Sequence, residues 1–190
     1  MRRSSAGFVL GYHGCDAAVA QGLLAGKDFE ISRNAYDWLG WGAYFWEGDS
    51  DRGLQWADVM RSRGAPITTP AVVGAIIDLG LCLDITTQAS LEVIKTAYTD
   101  LEAVVESRSE TLVSNTDELR RERDCAVLNY LYASMPEPKF QTVRGVFIEG
   151  PPLFPGAFIH ARTHVQIAVR DLSCIKGVFR VSPSRPVTVP

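Results

Sequence analysis

Apolar positions change period along this chain. Phe8-Val9-Leu10-Gly11-Tyr12-His13 is a short apolar run ending in a polar tip, the pattern of a strand. Asp16 then stands where an N-cap would open a helix over Ala17–Leu24, and Gly26 marks its stop. Phe29 and Ile31 alternate with polar neighbours, which predicts a second short strand or extended piece, and Ala43-Tyr44-Phe45 predicts another. Asp49 or Ser50 can cap a helix reaching Arg61, with Leu54, Ala57 and Val59 among its apolar positions. Val72–Leu79 is β-branched without clear alternation, which reads as a central strand covered on both faces, and Leu81–Asp84 continues it. Helical spacing returns at Leu91, Ile94, Tyr98, Leu101 and Val105, and again from Leu119 to Tyr132 with Thr116 or Asp117 as N-cap. Pro136 and Pro138 end that region.

The last third is mostly strand. Val143–Ile148 is one run, and Thr163–Val169 alternates polar and apolar residues as a half-buried strand does. Ile175–Val181 is a third. Pro151, Pro152, Pro155 and Gly156 make a stiff loop between the first two, and the tail from Ser182 is expected to be extended. Helices and strands interleave early and strands dominate late, so the chain reads as one α+β domain over residues 1–190, with a helical insertion at about 88–135.

Composition narrows the class. With 46% hydrophobic and 22% charged residues in 190, the chain can bury a real core as a single globular domain. No apolar run reaches membrane-spanning length, and no apolar segment follows the basic start Met1-Arg2-Arg3, so the expected location is cytoplasmic, away from membranes. Cys15, Cys82, Cys125 and Cys174 are scattered, without zinc or redox spacing, and read as reduced thiols. His160 and His164 would suit a metal only on a helix, and their surroundings predict loop and strand, so no metal is expected. A net charge of -3 argues against general nucleic-acid binding. The run Arg120-Arg121-Glu122-Arg123 reads as a solvated helix face rather than a basic patch.

Candidate chemistry concentrates in Ser32–Glu47, which holds two tyrosines, three tryptophans, a phenylalanine and two acids, broken by Gly40 and Gly42. Wide aromatic faces beside small hydrogen-bonding groups suit a flat, partly cationic ring ligand, and equally suit an aromatic corner of the core. Cys15 lies two residues from His13, which raises thiol catalysis, but nothing else completes a triad.

Three motifs in order carry a resemblance. Tyr12-His13-Gly14-Cys15 closes a strand, Gly42-Ala43-Tyr44-Phe45 follows the aromatic run, and Val165-Gln166-Ile167-Ala168-Val169-Arg170-Asp171 forms a late strand. Together they resemble the ADP-ribosyltransferase superfamily, in the branch shared by diphtheria toxin and the poly(ADP-ribose) polymerases, whose catalytic set is His, Tyr and Glu. The stretch Asp37–Glu47 is also similar to uncharacterised bacterial and phage members. The matching segments are residues 9–60 and 143–181.

The resemblance implies a split β-sandwich of two small, mostly antiparallel sheets with flanking helices. It implies NAD as co-substrate, without a metal, and mono-ADP-ribosyl transfer with release of nicotinamide, in a toxin, defence factor or phage effector. His13 would orient a ribose, Gly14 would let the backbone approach the carboxamide, and Tyr44 would stack on nicotinamide. Trp56 would close the clamp, with Trp46 in reserve. Ser32 and Asn34 would touch the phosphates or adenosine or make a turn, and Tyr36 with Asp37 would form a lid or only loop structure. Gln166 stands where glutamate is expected. It keeps a hydrogen bond but not the charge, whose loss matters in a partly dry site. Glu47 or Glu149 would then supply an acid, or the domain binds NAD or ADP-ribose without turnover; NAD hydrolysis is a further outcome. The acceptor is left open between protein and nucleic acid, the acidic balance leaning to protein.

Overall fold

The computed structural model describes residues 8–117 and 119–182; the expected extended tail lies outside them after Ser182. Seven strands and four α-helices run in the order β1 (Phe8–Asp16), α1 (Ala17–Leu24), β2 (Ala43–Glu47), α2 (Ser50–Ser62), β3 (Pro70–Asp78), β4 (Cys82–Asp84), α3 (Gln88–Ser107), α4 (Glu122–Ser134), β5 (Thr142–Phe147), β6 (His164–Val169) and β7 (Ile175–Arg180). Local chemistry explains the early boundaries. The Asp16 carboxylate accepts from Ala18 N and caps α1, and also accepts from Thr68 N and Thr69 N, tying the loop before β3 to the same point. Asp49 caps α2 by accepting from Arg52 N.

The strands form one mixed seven-stranded sheet in the order β4-β5-β6-β2-β1-β3-β7, rather than the two separate sheets expected. Its ladders are unequal. β1 and β3 pair from Phe8↔Asp78 to Asp16↔Pro70, and β5 and β6 pair over their whole length. β1 and β2 share only Gly11↔Glu47 and Tyr12↔Trp46. That narrow joint divides the sheet into halves β4-β5-β6-β2 and β1-β3-β7.

The sheet must also curl. Laid flat, it would set β3 and β4 five strand spacings apart, about 24 Å. The link between them is only Leu79–Leu81, which spans no more than about 14 Å. Curling brings the half-sheets face to face, and one core cluster accordingly mixes Val73, Ala75 and Ile77 of β3 with Phe45 of β2 and Ile167 and Val169 of β6. Ala20 and Leu23 of α1 and Phe29 join this inner cluster. A second cluster lies on the outer face, where Val127, Leu128 and Leu131 of α4 meet Leu83, Val143 and Ala168, with Ile94, Ala97 and Leu101 of α3 behind them.

Three expected elements differ. Phe29 and Ile31 form no strand; Phe29 turns into the inner core, and only Ser32 bridges to Gly42. Leu81–Asp84 does not continue β3, because Gly80 (φ +57) turns the chain and β4 pairs in parallel with β5 at the far edge. α4 starts at Glu122 instead of near Leu119, since Asp117 spends its carboxylate on Leu119 N and Arg120 N in a separate turn. No helix among the described residues is long and apolar enough to cross a membrane.

Candidate functional site

Strand alternation sorts the predicted residues by face. On the inner face, His13 packs edge-on to Phe29 and against Phe45, with ring centroids 5.4 and 5.7 Å away. Its Nδ1 donates to the Tyr44 carbonyl at 2.8 Å, because a carbonyl can only accept. Burial holds this imidazole below its ordinary pKa, against the pull of that bond. His13 thus sits where β1 and β2 part beyond Tyr12↔Trp46 and spans the opening.

Tyr44 points the other way. Its ring joins the outer cluster, its hydroxyl donates to Gly40 O at 2.6 Å, and it accepts from Leu39 N at 2.8 Å. Burial first, and Asp37 second, hold the phenol far above its ordinary pKa, so it stays protonated. The expected grip of one ring between the His13 and Tyr44 side chains is therefore not what the fold builds. The two residues meet only through the Tyr44 main chain, because neighbouring positions on a strand face opposite ways.

Gly14 is also committed. A Cβ there would lie 2.0 Å from Gly53 O, so the bare backbone makes room for α2. Trp56 of α2 packs on Trp46 at 5.7 Å between centroids, which unites the expected clamp residue with its reserve. Gln166 pairs with Trp46 on one side and Gly145 on the other, half-buried. It therefore shares the outer face with Trp46, Tyr44, Gly14 and Trp56, and its amide makes no hydrogen bond within the described residues.

Of the two candidate acids, only Glu149 lies on that face. Glu149 pairs with Arg52 of α2, and its Oε2 stands 3.5 Å from His164 Nδ1; His164 is the outer-face neighbour of Gln166 on β6. Glu47 turns inward and is held by Arg144, whose Nε donates to Oε2 at 2.6 Å and Nη2 to Oε1 at 3.2 Å, while Nη1 reaches Asp84.

The aromatic loop is braced from within. The Ser32 hydroxyl and the Asn34 backbone N–H both donate to Asp37 Oδ2, and Asn34 Nδ2 donates to Ser32, so both small residues make the turn. Burial raises the Asp37 pKa despite these donors. Tyr36 is exposed under the Arg120 guanidinium, and Arg121 lies 4.1 Å from the Trp38 ring centroid. The basic run thus grips the aromatic loop instead of simply facing solvent.

Cys15 does share the inner face with His13, but burial pushes its thiol up to about 11, so it is no nucleophile at neutral pH. Among the described residues, no group of three or more His, Cys, Asp or Glu is arranged to hold a metal ion. A cleft of about 310 Å³ opens between Leu23–Phe29 and Leu172–Val178, and another of about 280 Å³ between α3 and α4; neither is lined by a predicted site residue.

Two residues of the outer face escaped the sequence reading. The spacing of His164 from His160 suggests only a metal ligand, although alternation on its strand sets it beside Gln166. Arg52 carried no signal, since its partner is 97 residues away. No protein-family model matches the chain, and neither the curated proteins nor the solved structures contain a match to it.

Proposed function

We propose that the chain is an NAD-dependent mono-ADP-ribosyltransferase whose reaction takes place on the outer face at Gln166. The observation that carries this reading is the grouping of Gln166, Trp46, Trp56, Tyr44 and Gly14 on one face beside the Arg52–Glu149 pair. An open amide on an aromatic floor suits a flat ring and its ribose. The sheet is continuous, but a joint of only two residue pairs divides it into halves beside this face.

In the proposed reaction the bond between nicotinamide nitrogen and ribose carbon breaks, and nicotinamide leaves with the bonding pair. The acceptor atom then bonds to that carbon and loses its proton to water. Gln166 offers its amide oxygen to the cationic sugar, and the tryptophans hold the ring. His13 acts through the Tyr44 carbonyl and is a positioning residue at the joint. The pairing of Glu149 with Arg52, on the only predicted acid of this face, favours a second reading: a module that binds NAD or ADP-ribose without turnover.

Adenylate-labelled NAD incubated with the protein and a cell lysate separates these readings. Transfer predicts free nicotinamide and label on a macromolecule, and Gln166→Glu is expected to raise turnover at least about tenfold by restoring the missing charge. Binding with intact NAD supports the module, and free ADP-ribose alone means a glycohydrolase.

A further inference from the structure

Beside Gln166, three buried nitrogens have no hydrogen-bond partner within the described residues: Trp46 Nε1, Arg52 Nε and His164 Nε2. They belong to one neighbourhood. Arg52 and His164 both approach Glu149 Oε2, through Nη2 and Nδ1, and so leave Arg52 Nε and His164 Nε2 free of that carboxylate. The Cε3 edge of the Trp46 ring lies against Gly53, the residue after Arg52, so Nε1 is on the edge away from it, and Trp46 pairs with Gln166, two positions from His164 along β6. The His164 side chain is 1% exposed, and Arg52 and Glu149, at 12% each, form the outer wall.

Their chemistry is mixed in a particular way. His164 Nδ1 donates to Arg162 O at 2.7 Å, which leaves the lone pair on Nε2. Burial also favours the neutral ring. The Trp46 and Arg52 nitrogens can only donate. One acceptor with two donors matches an alcohol hydroxyl, which gives one hydrogen bond and takes two. A phosphate or carboxylate oxygen would set its lone pairs against that of His164, and an ammonium would meet two N–H groups.

We propose that Trp46 Nε1, Arg52 Nε and His164 Nε2 form a recognition site for one alcohol hydroxyl, entered when the Arg52 and Glu149 side chains part. The proposal rests on the transferase reading, under which the hydroxyl belongs either to a ribose of NAD or to the acceptor.

The test uses the full chain labelled with ¹⁵N-histidine, with NAD as the probe, and two variants. His164→Asn keeps a group at the Nδ1 position and loses Nε2, and Trp46→Phe keeps a ring and loses the N–H. If the hydroxyl is a ribose of NAD, NAD shifts the His164 Nε2 resonance and both variants weaken NAD binding at least about tenfold, the worth of one well-made hydrogen bond. If it is the acceptor's, both variants lower transfer to protein at least about tenfold relative to NAD hydrolysis in the same sample. A wild type that consumes NAD with no Nε2 shift, and variants with unchanged affinity and partition, overturn the hydroxyl site alone. The Nε2 resonance is read on the wild type, so a variant that fails to fold does not remove the test. A wild type that neither binds nor consumes NAD overturns the transferase reading and this one with it, and is recognised before any variant is made.

Discussion

Gly14 shows how one missing side chain fixes a face of the site. Its backbone lies against Gly53 of α2, and a methyl there would meet the Gly53 carbonyl at 2.0 Å, while a methyl on Gly53 would meet Val72 at 3.1 Å and Trp46 at 3.5 Å. Gly14→Ala is therefore expected to cost about 1–3 kcal/mol in urea unfolding, and Gly53→Ala clearly less; equal costs would contradict the packing described. The two buried histidines make a second prediction. Burial holds His13 and His164 below the free value of 6.5. Near that pH the unfolded chain takes up protons that the fold refuses. Their contribution to stability is thus fully present above pH 6.5 and is lost as pH falls below it. The urea midpoint should be lower at pH 5.5 than at 7.5, and His164→Asn should flatten the difference. The half-buried strand position of Gln166 is legible from the alternation along β6, whereas the lack of a hydrogen-bond partner for its amide among the described residues is not. The inward turn of His13 was legible too, since it sits next to Gly14 on a strand, but the motif order drew both residues toward one pocket.

At the scale of elements, periodicity carries far where neighbours supply the driving force. α1, α2 and β6 begin within a residue of where caps and alternation place them, because Asp16 and Asp49 are used as caps and the inward face of β6 is buried. The pattern fails where distant partners decide. β4 departs from β3 because Gln141 accepts from Leu81 N and Leu81 O accepts from Gln141 N, contacts that no local pattern encodes. The start of α4 shifts because Arg120 and Arg121 are drawn onto Tyr36 and Trp38. The ladders also rank the strands. β3 is paired on both sides, by β1 and β7, whereas β4 is a three-residue edge strand paired only with β5. Amide hydrogens of Val73–Ile77 should exchange far more slowly than those of Cys82–Asp84. Comparable rates would contradict the sheet order.

For the whole molecule, the curl of the sheet is the decisive feature. A three-residue link between strands five places apart forces the half-sheets together, and Phe45, fully buried, fills the space between them beside His13 and Phe29. Phe45→Ala should lower the free energy of unfolding by about 3–5 kcal/mol. With the inner face filled by side chains, the proposed nucleotide site falls on the outer face, where Trp56 of α2, Trp46 of β2 and Gln166 of β6 lie together. Gln166→Ala probes that claim cleanly, because the amide makes no hydrogen bond among the described residues and its loss should leave the fold intact. NAD titrated calorimetrically into the wild type and into Gln166→Ala is the direct measurement. Binding to the wild type and at least about tenfold weaker binding to the variant are expected; no heat with the wild type, or equal affinity in both, would rule out the outer-face site.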